Sequence, residues 1–179
     1  MEKVEKYVDL IPLKDKVYSK IWHIFSVIFF KPFAGSIFNS YRVNILKLFG
    51  AKIGKGSVVY SSVKVVCPWH LIMGKESCLG PGVKLHYDKT IIGSKVTVSQ
   101  NTFLCSASHD ISSLNLPFIS KPIIIKDYAW IAAECFIGMG VTIGKGSIVG
   151  ARSCVLKDVP EWKVVVGNPL KIIKERKIV

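Results

Sequence analysis

The sequence is short of acid, of histidine and of pairable cysteine. Twelve Asp and Glu stand against 25 Lys and Arg among 179 residues, a formal net charge of +13. The five cysteines (Cys67, Cys78, Cys105, Cys135, Cys154) are odd in number and form no C-x-x-C pair. That pattern excludes a disulfide framework and a zinc ribbon, and reads as small core residues in a reducing compartment, hence the cytoplasm. No long apolar run is present either. The most hydrophobic window, Ile21 to Phe33, is broken by His23, Ser26 and Lys31, and falls short of the roughly 20 residues that span a bilayer. A secretory signal is not expected here, because Glu2, Glu5, Asp9 and Asp15 precede the apolar stretch. With 50% apolar and 21% charged residues, the chain is neither disordered nor fibrous, and it is long enough to bury a core of its own.

The basic excess is spread along the chain. A field of that sign favours polyanionic partners: nucleic acid, anionic lipid or a phosphate-rich cofactor. No nucleic-acid-binding motif accompanies it, and the aromatics are not interleaved with arginine as base-stacking platforms require. Nucleic acid is therefore not expected as a partner.

Residues 1–50 read as a helical cap. Apolar residues recur at Val17, Ile21, Ile24, Phe25, Ile28 and Phe29, a helical spacing that Pro32 stops. A second helix is expected from Ile37 to Phe49, with Ser36 as N-cap and Gly50 beyond its end. Two roles stay open for residues 15–49: capping a core, or resting on a membrane surface.

From Ile53 onward the chain repeats every six residues. Ile125, Ile131, Ile137, Ile143, Val149 and Val155 keep the interval strictly, and glycine follows three of them as Gly138, Gly144 and Gly150. The same pattern appears from Ile53-Gly54 through Leu104. Six residues turn a helix through about 600°, so no helical face has this period. They do make a short strand and a corner, with the aliphatic inward and a small residue where the backbone turns. Stacked coils of this kind bury a continuous ladder, as in a parallel β-helix. Residues 51–179 are then one solenoid of five to six coils, closed by a C-terminal cap over 161–179.

The period fails between Leu104 and Ile125. The interruption, with its loop over 105–122, holds two prolines, five serines and the adjacent pair His109-Asp110. Insertions in repeat proteins project as loops and often carry the binding face. A histidine there is the candidate for chemistry, because imidazole titrates near neutrality and can act as a general base.

LFGAKIGKG at 48–56, PW at 68–69, LCSASHD at 104–110, KPIIIKDYAWIAA at 121–133, GMGVTIGKGSIVGARSCVLKDVP at 138–160 and VVVGNPLKII at 164–173 together resemble the hexapeptide-repeat acyltransferases. The branch they resemble most is that of the colanic acid biosynthesis acetyltransferases, relatives of the maltose and galactoside O-acetyltransferases. The resemblance implies a left-handed parallel β-helix, a homotrimer with its active sites between adjacent prisms, and acetyl-CoA as donor with no metal. It implies O-acetylation of a sugar hydroxyl in surface polysaccharide biosynthesis, in the cytoplasm or at the inner face of the membrane, by direct transfer in a ternary complex.

Site residues follow from the same resemblance. His109 would be the general base, with Asp110 orienting it or holding loop N–H groups. Trp130 would wall the acceptor or position His109. Ala132 would present a backbone N–H to the thioester carbonyl. Gly150, Ala151 and Ser153 would line the pantetheine path, and Lys157, Lys171 and Lys174 would meet the phosphates, with Arg152 a further candidate. Tyr87 and Asp88 stand where relatives carry an asparagine-rich acceptor segment; His70 has no assigned role. Competing readings are a non-catalytic solenoid scaffold, and an acyltransferase with an amino acceptor or a longer acyl donor. A zinc enzyme on this scaffold would need three converging histidines, and the four at 23, 70, 86 and 109 lack the required pairing.

Overall fold

A computed structural model describes residues 11–178; the first ten residues of the expected N-terminal cap lie outside the described residues. From Lys52 the chain winds as a parallel β-solenoid with three faces. The first face stacks Lys52–Ile53, Leu71–Met73, Thr90–Ile92, Ile123–Ile125 and Thr142–Ile143. The second stacks Val58–Val59, Cys78–Leu79, Thr97–Val98, Trp130–Ile131, Ile148–Val149 and Lys163–Val166. The third stacks Lys64–Val65, Lys84–Leu85, Phe103–Leu104, Phe136–Ile137 and Cys154–Val155.

Register makes the repeat visible as three ladders. Ile53, Met73, Ile92, Ile125 and Ile143 pair in sequence. Val59, Leu79, Val98, Ile131, Val149 and Val165 form the second ladder. Val65, Leu85, Leu104, Ile137 and Val155 form the third. All of them are buried, most completely. The strict six-residue interval thus places one aliphatic per face inward.

Glycine after the ladder residue serves close stacking. A Cβ on Gly74 would lie 2.5 Å from the Gly93 carbonyl carbon, and one on Gly144 would lie 2.5 Å from the Glu161 nitrogen. Neither glycine has a positive φ. Left-handed backbone falls later in each turn, often on non-glycine residues such as Glu76, Lys95 and Tyr128.

Helix α1 (Leu13–Phe25) runs on through a π-turn, Ser26–Phe30. Helix α2 (Asn39–Leu48) follows a 3-10 turn, Ser36–Phe38. Together they close the first coil with side chains that satisfy its open strand edges. The Trp22 indole donates to the Val65 carbonyl at 2.7 Å, and buried Arg42 donates to the Val59 carbonyl at 2.8 Å. Asn39 donates to the Ser57 carbonyl and accepts from the Val59 amide, each at 3.0 Å. Unpaired edges invite further strand addition, and this cover removes the invitation. Two details differ from expectation. Ser36 makes no capping bond, because Asn39 heads the helix and spends its side chain on the solenoid. The inward side of α1 and its π-turn is Trp22, Ser26 and Phe30, while Val17, Ile21, Ile24, Ile28 and Phe29 are exposed.

At the other end, Lys163–Val166 turns at Gly167-Asn168-Pro169 into an antiparallel strand, Lys171–Glu175. Arg176 ties this hairpin down by donating to the Tyr128 and Gly146 carbonyls at 2.8 and 2.9 Å. The cysteines are all free; Cys67 and Cys135 are buried, whereas Cys78, Cys105 and Cys154 are only half-buried.

Candidate active site

Departures from the six-residue interval gather at one corner, between the third face and the first. Residues 66–70 and 86–89 lengthen it modestly, and residues 105–122 leave it altogether. The long insertion is an ordered hairpin. Ala107–His109 pairs antiparallel with Phe118–Ser120, setting His109 opposite Phe118. At its tip, Asp110 accepts from the amide and hydroxyl of Ser112 at 2.9 and 2.7 Å. Those bonds lower the Asp110 pKa, and the carboxylate therefore holds the turn. A backbone carbonyl also meets the imidazole: His109 Nδ1 lies 2.6 Å from the Leu116 oxygen. A ring held there donates from Nδ1, and in its neutral form carries the lone pair on Nε2.

An aromatic row backs this histidine. Phe118 meets His109 edge-on at 6.1 Å between ring centroids, and Tyr87 meets Phe118 at 5.2 Å. His70 meets Tyr87 at 5.8 Å, and His70 Nδ1 lies 2.7 Å from the Tyr87 carbonyl oxygen. The Tyr87 hydroxyl donates to Asp15 of α1 at 2.9 Å, which spends its polar end inside the fold. Asp88 is half-buried at the same corner, where its amide donates to Ser106 Oγ at 2.8 Å. The corner thus collects three residues singled out in the sequence, Tyr87, Asp88 and His109. Asp15, His70, Leu116 and Phe118 join them without having been singled out as site residues. The clue for Phe118 was a short apolar-polar alternation on the far side of the serine-rich loop, which is a hairpin signal.

A groove of about 360 Å³ opens at the foot of the hairpin, lined by Cys105, Ala107, Ser108, Phe136, Met139 and Leu156. Leu156 also borders a second cleft of about 350 Å³, which reaches Lys157 and the Asn168–Leu170 turn. The two clefts share Leu156 and lie along the third face, between Ser108 of the hairpin and the C-terminal coil. Lys171 stands at the start of the terminal strand, opposite Val166. Lys174 lies apart, in a third cleft with Ile148, Val164, Arg176 and Lys177.

The remaining sequence candidates lie elsewhere. Trp130 is on the second face, opposite the His109 corner, half-exposed and donating to Ser99 Oγ at 2.9 Å. One chain does not bring it to His109. The Ala132 amide donates to the Val149 carbonyl at 2.9 Å within the coil ladder. Gly150 has its own packing reason to be glycine, since a Cβ would sit 2.5 Å from Val166 Cγ1. Ser153 is buried, donating to the Gly150 carbonyl and accepting from the Gly167 amide. Of that group only Ala151 is exposed, and Arg152 is paired with Glu134 at 2.7 Å. Among the described residues, no cluster of His, Cys, Asp and Glu is arranged to hold a metal ion.

Stacked six-residue coils with an inserted, histidine-bearing hairpin define a parallel β-solenoid of the hexapeptide-repeat type. No family model matches the chain. WcaF of Escherichia coli (strain K12), named for acetyl transfer in colanic acid biosynthesis, is 39% identical over 156 residues, covering 87% of this chain and 85% of that protein. The galactoside O-acetyltransferase of the same organism is 30% identical over 138 residues, 75% of this chain and 68% of its own. Among solved structures, a hexapeptide-repeat acetyltransferase from Vibrio cholerae superposes with a TM-score of 0.84 at 24% identity, over 94% of this chain and 96% of that one. A galactoside acetyltransferase solved with coenzyme A gives 0.82 at 23% identity, over 94% and 85%. The chain belongs to the hexapeptide-repeat acetyltransferases, in the branch of the colanic acid biosynthesis enzymes.

Proposed function

We propose that the protein transfers an acetyl group from acetyl-CoA to a sugar hydroxyl during assembly of a surface polysaccharide, with His109 as the general base. The observation that carries the reading is the Nδ1 contact of His109 with the Leu116 carbonyl. A carbonyl can only accept, so this contact supports the tautomer protonated on Nδ1, in which Nε2 would take the hydroxyl proton as the oxygen attacks the thioester carbonyl. The carbon–sulfur bond then breaks, the thiolate of CoA takes up a proton, and no covalent enzyme intermediate is required. General-base help of this kind contributes about 10²–10⁴ in rate.

The pair of clefts from Ser108 past Leu156 to Lys157 suits a long, thin donor whose reactive end must reach His109 and whose phosphates need cations. A structure related in fold was solved with acetyl-CoA bound, which supports the choice of donor. Trp130 and His109 lie on opposite sides of the prism, each exposed. A homotrimer that sets the Trp130 face of one copy against the His109 corner of the next would unite them.

The test is acceptor-dependent release of CoA from acetyl-CoA across a panel of sugars and glycan fragments, with the product then treated with hydroxylamine. The reading expects an O-acetyl ester, which hydroxylamine cleaves. A hydroxylamine-stable amide would replace it with N-acetyl transfer. Absence of both release and CoA binding would leave a scaffold.

A further inference from the structure

Helix α1 has two apolar faces, and the solenoid accounts for one. Trp22 faces inward with Ser26, while Leu13, Val17, Ile21, Ile24 and Ile28 are 47–75% exposed along the opposite side. A helix that only caps a core needs a single apolar stripe, and solvent normally meets its other side with charge. Here that side is aliphatic over the whole length of the helix and its π-turn.

Among the described residues, the exposed charge beside the stripe is basic. Lys14, Lys20 and Lys31 flank it and are exposed. The one carboxylate on α1 is Asp15, which is half-buried and accepts the Tyr87 hydroxyl. Beside the helix runs a groove of about 590 Å³, walled by Trp22, Ile24, Phe30 and Val65, with Lys20, Lys31 and Lys64 on its margin. No helix among the described residues is long and apolar enough to cross a membrane.

We infer that the outer face of α1 and the adjoining groove dock the protein on an anionic lipid bilayer. Aliphatic side chains enter the acyl boundary while lysines meet phosphate headgroups, the arrangement of interfacial helices. A second copy packed face to face is the weaker occupant, since a two-fold pairing would set these lysines against identical lysines. The inference stands apart from the acetyl-transfer reading and would survive its failure.

The experiment is flotation of the full chain with vesicles of phosphatidylcholine alone and of phosphatidylcholine mixed with phosphatidylglycerol. Parent protein is expected to float with the mixed vesicles and to be released by salt. The triple variant Lys14→Gln/Lys20→Gln/Lys31→Gln should partition on the order of a hundredfold less. Val17→Ser/Ile24→Ser/Ile28→Ser, all at exposed positions, should lose binding while keeping the parent's circular dichroism, light-scattering mass and transfer to a soluble acceptor. Failure of the parent to float, or parent-like binding by both variants, would overturn the inference. A fall in light-scattering mass for the serine variant would overturn it too, and assign the face to an interface between copies.

Discussion

The Tyr87 hydroxyl donates to Asp15 Oδ2 at 2.9 Å, joining the first helix to a solenoid corner 72 residues away. The same ring meets Phe118, and Phe118 meets His109, so the helix and the candidate base share one packed row. Tyr87→Phe keeps the ring and removes the tie. We expect a loss of about 1–2 kcal/mol in unfolding free energy, the scale of a hydrogen bond to a charged acceptor with part access to water. If Tyr87 also positions the hairpin, kcat falls while the KM for acetyl-CoA holds. Denaturant titration together with steady-state kinetics separates the two effects.

Alkaline pH should destabilise the fold through this corner. Burial, helped by the nearby charges of Asp15 and Asp88, pushes the Cys67 thiol up to about 12 from an ordinary 9.0. Tyr87 is raised as well, by burial and then by its bond to Asp15. Below pH 9 both folded and unfolded chains keep the Cys67 proton. Above it the unfolded chain loses the proton first, so stability falls as pH climbs from about 9 to 12. Cys67→Ala should flatten the decline of the urea midpoint across that window. An unchanged slope would place the destabilisation elsewhere.

Two glycine substitutions should part company. Gly74→Ala drives a Cβ to 2.5 Å from the backbone of the next coil, which no rotamer change relieves. It should cost about 1–3 kcal/mol or more, as overpacking does, and lower the thermal midpoint accordingly. A Cβ on Gly35 meets nothing within 4 Å, although φ there is +90°. Gly35→Ala should therefore carry backbone strain alone, and calorimetry should show no loss of coil packing.

The sequence spelled out the ladders because one aliphatic per six residues is a direct statement of a three-faced coil. Ile125 through Val155 occupy the inward positions that their spacing required. His109 was legible as a loop histidine, but its backbone partner was not, since a carbonyl such as that of Leu116 leaves no trace in residue type. Helix α1 was legible as a helix, but the side it turns to the solenoid was not. Its apolar residues surround the axis, so periodicity could not say which side met the solenoid, and the deciding contact was the Trp22 indole reaching Val65. Gly150 and Ser153 fitted a ligand path by size, yet each has a packing partner in the coil above, Val166 for one and Gly167 for the other.

Phosphate contacts on the donor can be read through the lysines. If Lys157 and Lys171 meet the phosphates, replacing either with alanine raises the KM for acetyl-CoA about two- to fivefold, the modest worth of exposed charge pairs. The difference in KM between acetyl-CoA and its 3′-dephospho form should shrink in the variant that loses the 3′-phosphate contact. Equal shifts for both donors would move the contact to the pyrophosphate.

Acceptor-dependent CoA release by the parent and by His109→Ala is the most direct measurement of all. The account predicts a fall of about 10²-fold or more in kcat, with acetyl-CoA binding retained and the melting temperature unchanged. Equal turnover by the two proteins would contradict it and remove His109 from the chemistry.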